Sequence, residues 1–256
     1  KAVAEQKIVD EPVTVIVSEK GWVRARTGIG HDAAQFTFKA GDSLHCTFEC
    51  RTVDSLVGIG DNGKTYSVPV AALPGARGDG VPITTLVDLS GGVRILHYFA
   101  GSADTRLLLA TSNGFGFISK AGDMVSRLKG GKSFITLDEG AVPLPPRIVP
   151  DTAGAIACLS GNGRVLVFGI DEMKVLTNGG RGVTLMELDP KEQLLAAQPI
   201  SQKGLNVIGT WAGSKPRTVE LFASGLEPHY GKRARKGKPL SQKLKATDLA
   251  MRSTGE

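Results

Sequence analysis

Short apolar runs that end in a glycine turn and continue into a second apolar run recur along the chain. The turns contain Gly21, Gly63, Gly114 and Gly163, spaced by 42, 51 and 49 residues, and a weaker fifth copy turns near Gly213. Asn-Gly between two apolar runs is a strong hairpin signal, because a type I′ turn needs positive φ at both central residues. The pattern therefore predicts five repeats, each containing a β-hairpin.

A glycine-rich basic loop and an alternating segment accompany each hairpin. Alternation of apolar and polar residues, as in 134–137, is typical of a strand, so each repeat is expected to hold about four strands. Helical periodicity is confined to 69–73 and 241–251. We therefore predict an all-β, propeller-like ring of five four-stranded units, which protects sheet edges by repetition. The basic loops are 24–30, 76–80, 129–132, 179–182 and 235–238.

The repeat boundaries define one large predicted domain. It covers residues 1–245, and the remaining residues, 246–256, are predicted to be a C-terminal tail. The repeats within it are assigned to 12–54, 55–105, 106–154, 155–203 and 204–245.

Composition adds a cellular context to this architecture. No apolar run approaches the roughly 18 residues that a membrane helix needs, and residues 1–10 do not resemble a signal peptide. Three cysteines, an odd number, do not suggest a secreted disulfide scaffold. We therefore expect a cytoplasmic protein with reduced thiols. Because the chain begins with lysine, we also expect it to be part of a longer protein.

Positive charge is concentrated in the last fifth of the chain. Residues 203–256 hold 11 basic and 4 acidic side chains, whereas residues 1–202 hold 20 basic and 21 acidic ones. Five cations fall between positions 232 and 238. Such a density favours a polyanionic partner, although solvated tails carry similar runs.

The basic loops suggest a nucleic-acid surface. In a ring of equivalent units they would lie at one height and form a discontinuous positive belt. Glycine lets backbone N–H groups approach phosphates, although turn geometry alone would explain the glycines of any single loop. Because interleaved exposed aromatics and a recognition helix are absent from the pattern, we predict backbone contact with duplex DNA and little base readout. The predicted DNA-binding residues are Lys20, Arg24, Arg26, Lys64, Arg77, Lys129, Lys132, Arg164, Arg181, Lys232, Arg233, Arg235, Lys236 and Lys238.

Four stretches give the chain a family resemblance. They are Lys-Gly-Trp-Val-Arg at 20–24, Phe-Lys-Ala-Gly-Asp-Ser at 38–43, Leu-Pro-Gly-Ala-Arg-Gly-Asp-Gly at 73–80 and Gly-Lys-Ser-Phe-Ile-Thr-Leu at 131–137. With them the chain resembles the C-terminal β-pinwheel domain of the A subunit of bacterial DNA topoisomerase IV, a relative of the gyrase A tail domain. The gyrase box Gln-Arg-Arg-Gly-Gly-Lys-Gly is absent; its closest counterpart, 177–183, keeps the glycines and one arginine, which favours the topoisomerase IV type.

The resemblance implies a fold and a role. The fold is a pinwheel whose blades exchange strands with their neighbours, and duplex DNA lies bent on its basic outer rim. The domain would be a non-catalytic accessory of an ATP-dependent type II topoisomerase, an isomerase that serves decatenation, supercoil relaxation and chromosome segregation. Expected partners are duplex DNA, the ATPase B subunit of topoisomerase IV, and the catalytic core of the same subunit, with no membrane contact. No cofactor is expected for this domain, whereas the parent enzyme would use ATP and Mg at the bacterial nucleoid.

Catalytic and metal sites are not predicted. Tyr66, Tyr98 and Tyr230 lie in or beside repeat elements and are expected to pack. Cys46 and Cys50 on one strand would lie about 13 Å apart, too far to share a zinc ion. Two other classes stay open: a propeller whose loops and basic tail bind an acidic protein, and an enzyme with a central-channel site.

Overall fold

A computed structural model describes residues 7–253, and the regular elements within them are β-strands and 3-10 helices of three or four residues. No helix in this part of the chain has the length and apolar character to cross a bilayer. The strands are β1 Pro12–Ser18, β2 Trp22–Thr27, β3 Leu44–Arg51, β4 Ser55–Gly60, β5 Lys64–Pro69, β6 Val81–Pro82, β7 Ile95–Gly101, β8 Arg106–Ala110, β9 Phe115–Lys120, β10 Lys132–Ser133, β11 Arg147–Ile148, β12 Ala155–Ser160, β13 Arg164–Gly169, β14 Val183–Thr184, β15 Leu194–Ile200, β16 Leu205–Trp211, β17 Lys215–Leu221, β18 Lys238–Pro239 and β19 Lys245–Met251. The 3-10 helices are Ala33–Gln35, Val70–Ala72, Ile83–Thr85, Ala121–Met124, Ile170–Glu172, Ala223–Gly225 and Glu227–His229.

The strands form five antiparallel sheets with one recurring order. The first sheet is β3-β1-β2-β6, the second β10-β5-β4-β7, the third β11-β8-β9-β14, the fourth β15-β12-β13-β18 and the fifth β17-β16-β19. Each of the first four sheets combines a hairpin and a third strand from one repeat with a short strand from the next repeat. We call β6, β10, β14 and β18 the exchanged strands. The all-β fold with strand exchange is confirmed, while the fifth sheet has three strands among the described residues.

The hairpins turn as the glycine pattern indicates, but not with the predicted turn type. Backbone N–H groups of Gly21, Gly63, Gly114 and Gly163 donate to carbonyls three residues earlier. These glycines have φ between 79° and 89°, whereas the two residues before each of them lie outside the positive-φ region. This is a three-residue loop, a type I turn closed by a left-handed glycine, so the type I′ prediction is wrong.

Three element predictions and one boundary change in the structure. The alternating segment 134–137 follows the two-residue strand β10 and is not itself a strand, since only Ile135 forms an isolated bridge, with Gly180. The stretch 69–73 contains only the 3-10 turn Val70–Ala72, and 241–251 holds strand β19 instead of a helix. Because β19 pairs with β16 from Leu205–Met251 to Thr210–Lys245, the predicted tail at 246–256 includes an integral strand of the fifth sheet. The fifth repeat therefore extends to Met251.

The described chain divides into two compact units. One unit contains residues 7–105 and 120–134 of the described chain, with the first and second sheets; the other contains 106–119 and 135–253, with the remaining three. The first unit has one apolar core, built around Val15, Val23, Leu56 and Tyr66. The second unit has two clusters, one of which includes the fully buried Phe168.

Third strands pack against each other inside each unit. In the first unit β3 contacts β7, with the rings of Phe48 and Phe99 edge to face and centroids 5.9 Å apart. In the second unit β15 contacts both β11 and β19. Because the third strand and the exchanged strand occupy opposite edges of a sheet, the exchanged strands lie on the edge away from these contacts. We call this edge the outer edge.

Candidate nucleic-acid interface

Four of the basic loops lead directly into an exchanged strand and therefore lie at the outer edge of a sheet. The last glycine of each loop has a positive φ, between 71° and 87°. A Cβ at any of these glycines would lie 2.1–2.6 Å from a backbone carbonyl oxygen of the adjacent hairpin strand. Glycine is needed here because the loop backbone packs directly against the adjacent hairpin strand. These glycines therefore serve the fold and do not indicate a phosphate contact. The four glycines are Gly80, Gly131, Gly182 and Gly237.

The first predicted loop, 24–30, is different from the other four. Its residues up to Thr27 belong to β2, and no exchanged strand follows it before β3. Thr14 Oγ1 donates to Gly28 O at 2.9 Å, and Gly30 N donates to Glu49 at 3.2 Å. The prediction of five equivalent basic loops is therefore wrong, since four are equivalent.

In the first unit, four predicted cations are exposed: Lys20, Arg26, Arg77 and Lys129. The guanidinium of Arg26 lies over the ring of Phe36, 6.0 Å from its centroid. Arg26 and Arg77 line an open concavity of about 870 Å³ together with His31, whose imidazole bonds to Thr27 O. Two guanidinium groups converging on an open surface are well suited to a phosphate.

In the second unit, Lys232, Arg235 and Lys238 are exposed in the loop that leads to β18 and in β18 itself. The side chains of Lys232 and Arg235 form no hydrogen bond or ion pair with any residue in 7–253. Tyr230, immediately before them, is 53% exposed. The packing prediction therefore holds for the buried Tyr66 and Tyr98 but is wrong for Tyr230.

Arg24 contradicts the prediction that it contacts DNA. Its side chain is buried, with only 5% of its surface exposed, and donates to Gly78 O at 2.9 Å and to Thr37 O at 2.6 Å. The guanidinium lies 5.1 Å from the centre of the Phe38 ring. Since the segment around Thr37 and Phe38 covers this residue, Arg24 ties the basic loop 76–80 to the segment before β3.

Four further predicted cations donate hydrogen bonds from their side chains to backbone carbonyl oxygens. Lys132 Nζ donates to Asp123 O at 2.6 Å, and Arg233 Nη1 to Thr184 O at 2.7 Å. Arg164 donates to Gly237 O at 3.3 Å, and Lys64 to Gly130 O at 3.5 Å. These half-buried side chains hold the loops in place and have less freedom to reach phosphates.

Two predicted cations are neutralised by acids. Arg181 lies 2.7 Å from Asp138, and Lys236 lies 2.7 Å from Asp189. The hydrogen bond from Lys236 lowers the pKa of the Asp189 carboxyl below its usual value. Equivalent turn asparagines complete both sites, since Asn113 donates to Asp138 at 2.8 Å and Asn162 to Asp189 at 3.1 Å. The third and fourth sheets thus repeat one turn–acid–cation arrangement.

The structure reveals a basic surface that the sequence reasoning missed, on the fifth sheet. Trp211 is 48% exposed, and the guanidinium of Arg217 lies 5.4 Å from the centre of its ring. Lys243 and Lys245 line the same open concavity as Trp211. Arg127, exposed beside Lys129, was also missed. These residues stand outside glycine-basic loops, and only the strand pairing brings 211–217 beside 243–245.

The thiols are protected in the folded chain. Cys46, Cys50 and Cys158 are all free. Burial raises the pKa of Cys46 to about 12 and that of Cys50 to about 11. Burial likewise raises the pKa of Cys158. Such thiols are poor nucleophiles near neutral pH.

Comparison with known proteins places this architecture in a family. The family model described as "DNA gyrase C-terminal domain, beta-propeller" matches residues 54–97, 105–142 and 155–201. The A subunit of DNA topoisomerase 4 from Neisseria gonorrhoeae is 37% identical over 255 residues, which cover 96% of this chain and 32% of that protein. Its counterpart from Escherichia coli K12 is 30% identical over 247 residues, covering 93% of this chain and 32% of that protein. The chain thus spans about a third of the length of these relatives.

Solved structures agree with the sequence matches. The structure described as the E. coli ParC C-terminal domain matches with a TM-score of 0.83 and 28% identity, covering 94% of this chain and 98% of that one. A C-terminal domain of DNA topoisomerase IV gives a TM-score of 0.72 at 20% identity, covering 90% of this chain and 73% of that one. The family match extends over about half of the sequence, and strand exchange occurs in four of the five sheets of the described chain. The chain therefore belongs to the DNA gyrase C-terminal domain, beta-propeller family, and its relatives are topoisomerase IV A subunits.

Proposed function

We propose that the chain is the accessory DNA-binding domain of a type II topoisomerase, and that it binds and bends duplex DNA largely without sequence specificity. The observation that carries this proposal is a group of exposed cations whose side chains form no hydrogen bond or ion pair within residues 7–253, and all of them except Lys20 lie at or beside the outer edges of the sheets. Seven of the fourteen predicted residues belong to it: Lys20, Arg26, Arg77, Lys129, Lys232, Arg235 and Lys238.

Electrostatics would supply most of the affinity. A protein that neutralises phosphates releases condensed counterions, and this release favours binding at low salt. Bending a duplex of about 20–30 base pairs costs about 1–6 kcal/mol, which the phosphate contacts must offset. DNA that is already curved by supercoiling or crossing needs less deformation, so preference for such DNA follows from the same contacts.

The parent protein would be an ATP-dependent type II topoisomerase acting with Mg in the bacterial cytoplasm, at the nucleoid. Within it this domain contributes no catalytic group and presents a curved duplex to the catalytic core of the same subunit. The ATPase B subunit would be the other protein partner. Supercoil relaxation and decatenation are the reactions that the domain would tune.

Charge reversal tests the assignment. A triple variant, R26E/R77E/K129E, should weaken binding of a short labelled duplex by at least about a hundredfold at low salt, because three phosphate contacts become repulsive. The matched control is R94E/K191E/K203E, which reverses three exposed cations beside the third strands β7 and β15. Equal loss of affinity in both variants would contradict an outer-edge site, and unchanged thermal unfolding would show that both remain folded.

Bending needs its own measurement. Energy transfer between dyes at the two ends of the duplex should rise when the wild-type chain binds, because the ends approach each other. Binding with unchanged transfer would retain the DNA-binding proposal and reject bending.

A further inference from the structure

The second sheet lacks a backbone contact that its three four-stranded sister sheets make. In those sheets the fourth residue of the second hairpin strand forms a parallel bridge with the segment that leads to the exchanged strand. The bridges are Ala25 with Gly75, Ile118 with Val175 and Val167 with Tyr230. In the second sheet the equivalent residue is Ser67, for which the described part of the chain shows no such bridge.

Ser67 contacts the 125–131 loop through its side chain and not through its backbone. Ser67 Oγ donates to Ser126 O and accepts from Ser126 N, both at 2.8 Å. The hydroxyl thus holds the loop one side-chain length away from β5. In the sister sheet Ala25 N instead donates directly to Pro74 O at 2.9 Å. Ser67 pairs with Val57 in the same register in which Ala25 pairs with Val15. The backbone N–H and C=O groups of Ser67 therefore point toward the outer edge, as those of Ala25 do.

A groove of about 480 Å³ is lined by the end of β5, from Ser67 to Pro69, and by residues 125–129 of the loop. This volume is in the range of roughly 300–1,000 Å³ that is typical of ligand sites. The lining is mainly apolar, and Leu128 at its border is 70% exposed. The apolar side chains that line it are Val68, Pro69, Ala72, Leu86, Val125 and Leu128.

The charge around the groove indicates which kind of occupant fits. Arg127 and Lys129 both line it, both are exposed, and neither side chain forms a hydrogen bond or ion pair with residues 7–253. No aspartate or glutamate is among the lining residues of the described chain. Two free cations beside an apolar trough complement a segment that carries both acidic and apolar side chains.

We infer that this groove binds an extended acidic peptide, which adds to β5 as a parallel strand. Its backbone would pair with Ser67, as Gly75 pairs with Ala25 in the first sheet. Alternate side chains of a strand point to one face, so apolar residues at every second position would enter the groove. Flanking carboxylates would meet Arg127 and Lys129. This surface is separate from the proposed DNA function, except that Lys129 borders both.

The test uses a labelled octapeptide with two leucines at alternate positions, flanked by aspartates, and measures its fluorescence anisotropy. The blocking variant is Ala72→Trp, which places an indole in the groove. Its matched control is Ala71→Trp, because Ala71 is an exposed neighbour outside the lining. We expect saturable binding to the wild type and to A71W, and binding at least about tenfold weaker for A72W.

Two altered peptides separate the contribution of the carboxylates from that of backbone pairing. Lysines in place of the aspartates should abolish binding, and so should N-methyl groups on the backbone face that pairs with β5. Undiminished binding of the N-methylated peptide, or equal affinity of A71W and A72W, would overturn the inference. So would the absence of any saturable binding by the wild type.

Other occupants give distinct results. Duplex DNA affinity should be the same for A71W and A72W, so a selective loss in A72W would assign the groove to DNA and overturn the peptide. A concentration-dependent dimer that A72W abolishes would assign it to a second copy of the chain. Loss of the DNA function with retained peptide binding would reject only the proposed function.

Discussion

Gly130 and Gly131 are neighbours in one loop, yet their surroundings differ. A Cβ on Gly131 would lie 2.6 Å from Thr65 O, and the residue has φ of 71°. Gly130 has open space around it. We expect G131A to lower the free energy of unfolding by about 2–4 kcal/mol, since both the left-handed backbone and the carbonyl contact oppose a side chain. Urea denaturation measures this value, and G130A should change it by less than about 0.5 kcal/mol.

Arg24 and Arg77 separate stability from binding at the residue scale. Arg24→Ala removes buried hydrogen bonds to two carbonyls, so unfolding should become easier by about 2–4 kcal/mol. Arg77→Ala should leave stability within about 0.5 kcal/mol and weaken duplex binding instead. Thermal unfolding and DNA anisotropy on both variants check this pair. Equal stability of the two variants would show that the Arg24 contacts contribute nothing.

The sequence predicts that arginines lie near the glycine turns, but it does not show which of them are exposed to solvent. Arg24 and Arg26 differ by two positions and lie on the same side of β2 in a simple alternation, yet one is buried and the other exposed. What separates them is the segment around Thr37 and Phe38, which covers Arg24. That covering contact is tertiary, so no local pattern carries it.

At the element scale, the hairpins were predictable from the local pattern, whereas strand exchange was expected only from the family resemblance. Apolar runs around a glycine turn are local signals, and each placed a hairpin correctly. The exchanged strands are two residues long and pair with a hairpin of the preceding repeat, as Lys132 does with Thr65. A two-residue strand has no periodicity of its own. Its position depends on the left-handed glycine before it and on a partner about 67 residues away.

The acid–cation pairs beside two exchanged strands lead to a gain-of-function prediction. Asp138→Asn with Asp189→Asn removes the counter-charges of Arg181 and Lys236, while the amides can keep the bonds to the turn asparagines. Duplex affinity should rise about three- to tenfold near 0.1 M salt, because two more cations become available to phosphates. Anisotropy titration measures the change, and a weaker complex would contradict the arrangement.

These pairs also have a predictable response to pH. Because the Lys236 hydrogen bond lowers the pKa of Asp189, this carboxyl stays ionised throughout the neutral range. Its contribution to stability is present at neutral pH and is lost as the pH falls through that lowered pKa. Duplex binding should therefore show no change from this pair between about pH 6 and pH 8. A change of affinity between pH 6 and pH 8 that occurs in the wild type but not in D189N would contradict the lowered pKa of Asp189.

At the scale of the whole molecule, the sequence predicted the net charge and the number of repeats. It did not predict which cations are exposed and available to DNA. The chain carries a formal charge of +6, but several of its basic groups bond to backbone carbonyls or pair with carboxylates of the same chain. Arg24 and Arg233 bond to backbone carbonyls that fix the loops of the outer edge, so these two cations are not available to DNA. Seven of the predicted residues remain exposed with side chains that form no hydrogen bond or ion pair within residues 7–253, and they set the expected electrostatics.

The salt dependence of duplex binding tests the central claim most directly. If all seven exposed cations contact phosphates, the logarithm of the binding constant should fall with the logarithm of salt with a slope of about −6. The variant R26A/R77A/K129A/R235A should reduce that slope to about −3, at unchanged stability. A slope that stays the same in this variant would contradict the claim that exposed outer-edge cations bind the duplex.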